Sequence, residues 1–165
     1  MTLTHPFDIM PLAEGGSLIF TPCPGTKDVD LRNALHELKT AGTSAVITMM
    51  PRHELAEHGV ADIEAACTEL GLQWFHFPVE DDAAPEHAFH TQWAQQSATI
   101  LNLLSTGNTI AVHCKGGSGR TGLMVALLLR ARGETLENAT QSVQAIRPKS
   151  LQLTAHRDFL ASFPL

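Results

Sequence analysis

A short apolar run that feeds through a glycine-rich loop into a longer apolar run most limits how this chain can fold. Thr109-Ile110-Ala111-Val112 reads as a buried strand, and Leu123-Met124-Val125-Ala126-Leu127-Leu128-Leu129 reads as an apolar helix. The residues from His113 to Gly122 connect them. Strand, glycine-rich loop and helix in that order aim backbone N–H groups and the positive end of a helix at one point.

The rest of the chain repeats the alternation of strand and helix. Ser17 to Phe20 is expected as a first strand after the Gly15-Gly16 turn. Asp30 to Lys39 follows as a helix with Leu31, Ala34, Leu35 and Leu38 inward, stopped by Gly42. Ser44 to Met49 is a second strand ended by Pro51, a short helical piece surrounds Glu54-Leu55, and Val60 to Leu70 is a helix closed by Gly71. Leu72 to Phe77 is a strand, and Pro85 opens a long helix on which Phe89, Trp93, Ile100 and Leu104 recur at helical spacing. Beyond the apolar helix and its stop at Gly133, Thr135 caps a helix using Leu136, Ala139, Val143 and Ile146, ended by Pro148. Leu153 to Phe163 is the last helix. Short crossovers of this kind imply an α/β fold, a mainly parallel central sheet flanked by helices on both faces. No repeat or linker interrupts residues 1–165, which are read as a single domain.

The connecting loop carries the chemistry. Cys114 and Arg120 are separated by five residues, three of them glycine, and Thr121 follows at once. Inward-facing amides, a helix N-terminus and Arg120 would all stabilise negative charge on that sulfur. Arg120 offers a planar fork that can hold two oxygens of a tetrahedral anion. The glycines let the loop bend sharply and bring its amides close to a ligand. Lys115, Gly116, Gly117, Ser118 and Gly119 would then line the bound group. Thr121 would help the sulfur depart in a second step, and His113 would orient the loop rather than act as a base. Such an arrangement suits phosphoryl transfer to sulfur.

Cys-x5-Arg-Thr after a strand resembles the signature of the cysteine-dependent protein tyrosine and dual-specificity phosphatase superfamily. The pattern is most similar to its kinase-associated phosphatase branch, and the resemblance runs from Leu18 to Phe163. Supporting matches are Cys23-Pro24-Gly25, Asp28-Val29, Glu54-Leu55, Pro78-Val79-Glu80-Asp81 and Leu151-Gln152. The resemblance implies hydrolysis of phosphate monoesters, phosphotyrosine and phosphoserine or phosphothreonine of proteins, through a phosphocysteine. Cys114 is then the nucleophile and Arg120 the phosphate clamp. A poor leaving group needs a general acid, and the family's acid aligns with Asp81, with Asp82 and Glu80 as competitors on the same loop. Gln152 resembles the family glutamine that positions the hydrolytic water, although Leu153-Thr154 departs from the usual Gln-Thr order. The scheme requires no metal and no cofactor.

The net charge of −6 opposes a general affinity for nucleic acid or acidic membranes. Locally the sign reverses, because the loop carries Lys115 and Arg120 and no acid. A phosphoprotein or a phosphorylated small molecule is therefore the expected partner, and no specific kinase partner is inferable. Lysine after the cysteine resembles tensin-type phosphoinositide phosphatases, which carry a second lysine where this chain has Ser118. A sulfurtransferase or arsenate reductase is a rival that Asp81 and Thr121 argue against, and a module that binds phosphoprotein without turnover is one that the full set of catalytic parts argues against. With no membrane-length apolar run and no signal peptide, a cytoplasmic location is expected. Cys23, Cys67, Trp74 and Trp93 read as core, and His87 with His90 as exposed helix surface. Arg147 and Lys149 read either as pocket rim or as solvated loop.

Overall fold

The alternation builds one twisted sheet with a helical layer on each side. The computed structural model describes residues 4–165. Its strands are β1 (Asp8–Pro11), β2 (Ser17–Thr21), β3 (Thr43–Thr48), β4 (Gln73–His76) and β5 (Thr109–His113). They lie in the order β1-β2-β5-β3-β4, with β1 antiparallel to β2 and every other pair parallel. The helices are α1 (Leu31–Thr40), α2 (Arg52–Glu57), α3 (Ile63–Glu69), α4 (His87–Ser105), α5 (Gly119–Ala131), α6 (Leu136–Ile146) and α7 (Thr154–Ser162).

Both faces of the central strands β2, β5 and β3 are buried, and their period-two alternation divides the core. Ile19, Val46 and Ala111 join Leu31, Leu35, Leu38, Leu55, Ile63 and Cys67 of α1 to α3. Leu18, Phe20, Ile47, Ile110 and Val112 meet Phe89, Ile100, Val143, Leu160 and the whole apolar run of α5 on the other side. Enclosure on both faces explains why these strands read as unbroken apolar runs. Helix α5 lies between the sheet and α6 and α7, so Gly122 to Leu128 are almost fully buried. No helix among the described residues is long and apolar enough to cross a membrane.

Local rules fix most boundaries. Asp30 Oδ1 accepts from Asn33 N at 3.0 Å and Thr135 Oγ1 from Asn138 N at 3.1 Å, which caps α1 and α6. The expected helix over Val60–Leu70 starts only at Ile63, because Val60 N turns back to Leu55 O at 2.9 Å and its segment serves as the turn out of α2. Strand β1 was not expected from the sequence. It is a mostly exposed edge strand ending in Pro11, where the lack of an N–H costs no ladder bond. Trp74 and Trp93 are half-buried rather than enclosed, while Cys23 and Cys67 are fully buried as expected.

Because β2, β3, β4 and β5 are parallel, their carboxyl ends share one edge of the sheet. The segments that follow them, after Thr21, Thr48, His76 and His113, therefore converge there. Open α/β sheets present their ligands at this edge.

Candidate active site

The loop from Cys114 to Ser118 owes its shape to where its carbonyls go. His113 Nδ1 donates to the Cys114 carbonyl at 3.1 Å, and Cys23 N to the Lys115 carbonyl at 3.0 Å. Arg147 Nε donates to the Gly117 carbonyl at 3.1 Å, and Ser150 Oγ to the Ser118 carbonyl at 2.6 Å. Each of these acceptors is drawn toward a donor outside the loop, which turns the amides inward. Gly117 N donates to Cys114 Sγ at 3.3 Å and Thr121 Oγ1 donates to the same sulfur at 3.2 Å. The sulfur thus sits at the base of a cradle of N–H groups, at the N-terminus of α5.

Glycine is required at the bend itself. Gly117 has φ +84°, and a Cβ there would lie 2.6 Å from the Thr21 carbonyl carbon and 2.8 Å from Pro22 N. Gly122 packs against Ser150, where a Cβ would come within 2.2 Å of Oγ. Gly116, by contrast, faces open space.

A buried relay fixes His113. Trp74 Nε1 donates to Thr48 Oγ1 at 2.7 Å, and Thr48 lies 2.7 Å from His113 Nε2. Since the Cys114 carbonyl can only accept, His113 carries its proton on Nδ1 and takes the Thr48 hydroxyl proton at Nε2. Burial holds this imidazole down at about 4, so it stays neutral and orients the loop.

Arg120 is the most heavily engaged side chain of the site. It is 2 % exposed. Nη1 and Nη2 donate to Glu54 Oε1 and Oε2, both at 2.8 Å, and Nη1 also donates to the Val79 carbonyl at 2.8 Å. These bonds occupy three of its five N–H groups and leave the edge formed by Nε and Nη2 for an anion. Hydrogen bonds from Arg120 hold the Glu54 carboxyl below its ordinary range. Burial opposes the charge on Arg120, but the Glu54 hydrogen bonds and the neighbouring Cys114, Glu54 and Asp81 charges together outweigh it, and the net shift is upward.

Asp81 Oδ1 lies 3.4 Å from Arg120 Nη2. Asp81 is the second residue of a tight turn closed by Ala83 N to Glu80 O at 3.2 Å, with Asp82 third at φ +58°. The structure therefore brings Cys114, Arg120, Thr121 and Asp81 to one place. Gln152 does not join them: its amide donates to the Pro148 carbonyl at 2.9 Å, and the side chain is exposed. Lys115 is exposed at the mouth. Arg147, read from sequence as rim or solvent, braces the loop beneath it, also reaching the Phe20 carbonyl at 3.3 Å and pairing with Asp8. Burial pushes the Cys23 and Cys67 thiols up to about 12, which leaves both inert at neutral pH.

Sequence reasoning gave Glu54 no role, and Ser150 was not singled out at all. Neither residue type announces itself, and their partners lie 66 and 32 residues away.

Comparison with known proteins agrees with this geometry. The polymorphic toxin system DSP-PTPase phosphatase family matches residues 25–134. The chain belongs to that family. It is a cysteine-dependent phosphatase of the dual-specificity and tyrosine phosphatase class. Among curated relatives, human cyclin-dependent kinase inhibitor 3 is 28% identical over 148 residues, spanning 85% of this chain and 68% of that protein. Mouse protein tyrosine phosphatase type IVA 2 is 30% identical over 109 residues, spanning 57% of this chain and 61% of the relative. Kinase-associated phosphatase, solved with serine replacing its catalytic cysteine, superposes with a TM-score of 0.85 over 99% of this chain and 96% of that one. At 21% identity, that likeness bears on the fold alone.

Proposed function

We propose that this phosphatase hydrolyses phosphate monoesters of proteins in two displacements at Cys114. The Cys114 thiolate attacks phosphorus, the P–O bond to the leaving group breaks, and Asp81 delivers a proton to the departing oxygen. The result is a phosphocysteine and a free hydroxyl product. Asp81, now ionised, takes a proton from water as the water oxygen attacks phosphorus. The P–S bond breaks, inorganic phosphate leaves, and Thr121 donates to the returning thiolate. The inward amides of Lys115 to Gly119 and the free edge of Arg120 stabilise the equatorial oxygens throughout.

The observation that carries this reading is the sulfur itself. It accepts from Gly117 N and Thr121 Oγ1 at the base of an amide cradle, with Asp81 Oδ1 3.4 Å from Arg120 Nη2. Asp81 is preferred over Asp82 because Asp81 reaches Arg120, while Asp82 occupies the left-handed position of the turn. The fold's two core layers share a single sheet, which supports the chain as one catalytic domain. A reduced nucleophile and a scheme without metal fit a cytoplasmic enzyme acting on phosphotyrosine and phosphoserine or phosphothreonine.

Hydrolysis of para-nitrophenyl phosphate with a chelator present tests the proposal. Wild type should turn over, Cys114→Ser should be inert, and Asp81→Ala should fall by ~10²-fold or more. Activity retained by Cys114→Ser would refute it.

A further inference from the structure

We infer that His156 is a positioning residue for the turn that presents Asp81. The inference rests on the reading of Asp81 as general acid. Glu80, Asp81, Asp82 and Ala83 form a four-residue turn, and its two ends are held by two histidines from different elements. His53 Nε2 meets Glu80 Oε1 at 2.7 Å, and His156 Nε2 meets the Ala83 carbonyl at 2.7 Å. The first contact is exposed on both sides, where an ion pair contributes little. The second is different, because His156 is 1 % exposed.

The chemistry of the imidazole explains why a histidine stands there. A carbonyl can only accept, so Nε2 carries a proton and donates it. The other ring nitrogen, Nδ1, is buried and has no hydrogen-bond partner among the described residues. Helix α7 presents this ring beside Phe159 and Leu160 on a face that packs on α5. For packing alone, an apolar side chain would avoid an unmatched polar atom. What the histidine supplies in return is a donor to the backbone of the acid turn.

Its position couples the turn to the nucleophile loop. A Cβ built on Gly119, the first residue of α5, would lie 4.0 Å from His156 Cε1. One ring therefore lies beside the end of the phosphate cradle and donates to the residue at which the acid turn returns. Asp81 needs such support from outside. Its own side chain is 67 % exposed, its one ion pair among the described residues is the 3.4 Å approach to Arg120, and Asp82 beside it sits at a φ that side-chain-bearing residues rarely adopt. Upstream, Val79 is tied by its carbonyl to Arg120 and by its N–H to Met49 O. Downstream, the corresponding tie is His156.

The test compares leaving groups, because a poor one depends on the acid more than a good one does. The kcat/KM ratio of para-nitrophenyl phosphate to phenyl phosphate is measured on the same sample, which makes it independent of the folded fraction. Phenol resembles a tyrosine side chain, with a pKa of about 10, and leaves poorly unprotonated. His156→Met and His156→Phe remove the donor, and His156→Gln keeps one on a side chain the size of Met. The ratio should rise about tenfold in the Met and Phe variants, since a displaced acid loses much of its contribution, and stay near wild type in Gln. Asp81→Asn should raise it further. An unchanged ratio in Met and Phe, or an equal rise in Gln, overturns the inference. Failure of the underlying reading looks different: the wild type would be inactive, or Asp81→Asn would leave the ratio unmoved.

Discussion

Removing the carboxylate of Glu54 is the most severe single test of how this site is held together. Arg120 is 2 % exposed, and its cation is matched by two 2.8 Å bonds to Glu54 and one to the Val79 carbonyl. Glu54→Ala leaves that cation buried with one neutral acceptor and only the exposed Asp81 carboxylate, 3.4 Å from Nη2, to balance it. Breaking a buried pair from one side costs about 3–5 kcal/mol. The Glu54 side chain is itself 10% exposed, so water reaches the gap and the lower end applies, about 3 kcal/mol. For a domain of this size each kcal/mol lowers Tm by roughly 2–4 °C, so the expected drop is about 6–12 °C. Glu54→Gln keeps one acceptor and should lose less.

The sign of the pH dependence follows from the direction of the shift. Bonds from Arg120 hold the Glu54 carboxyl below its ordinary value. Its stabilisation is therefore complete above the unfolded value of about 4.3 and is lost as pH falls through the folded one. The gap in Tm between wild type and Glu54→Gln should be full at pH 7 and close in acid. Thermal melts across that range, with kcat/KM at pH 7, are the assay. Activity should fall about 10²-fold, because Arg120 keeps its charge but loses the anchor that aims its free edge. A Tm drop under about 2 °C with unchanged kcat/KM would refute the argument.

Two further outcomes follow from the loop and its buried histidine. Gly117→Ala forces a Cβ against the Thr21 backbone at a φ of +84°, and should cost about 1–3 kcal/mol and most of the activity, whereas Gly116→Ala, facing open space, should melt like wild type. Burial holds His113 at about 4, below the unfolded value of about 6.5, so stability should be full above pH 6.5 and decline toward pH 4 by up to ~1.4 kcal/mol per unit. Equal urea midpoints at pH 7 and pH 5 would contradict a neutral His113.

What could be read from sequence was what is decided within a few residues. The strand before Cys114, the glycine bend and the apolar helix lie in one continuous stretch, and both caps act over three residues, Asp30 on Asn33 and Thr135 on Asn138. The supports of the loop lie far along the chain. Glu54 is a carboxylate on a six-residue helix, indistinguishable by pattern from its exposed neighbour Glu57 until the fold sets it against Arg120. Arg147 lies 30 residues from the carbonyl it holds and 139 from Asp8. Strand β1 escaped for another reason: four residues with three exposed and a terminal proline carry too little alternation to be read.

In the proposed mechanism the two halves of the chemistry are held in opposite ways, and Arg120 is the joint between them. Cys114, Arg120 and Thr121 are nearly inaccessible, and the outer carbonyls of their loop are fixed by donors from the segment after β2 and the segment between α6 and α7. Electrostatic stabilisation needs that rigidity, because dipoles already aimed at the developing charge require no reorganisation during reaction. An acid that must also receive protons from water cannot be buried in the same manner, and Asp81 stands exposed on a turn. Arg120 reconciles the two demands, since one guanidinium grips the Val79 carbonyl at the root of the turn, approaches Asp81, and rests on Glu54. An anion seated on its free edge would therefore be registered against sulfur and acid at once. On this argument a variant that moves Arg120 must disturb both displacements, while one that disturbs only the turn should be felt chiefly when the leaving group needs a proton.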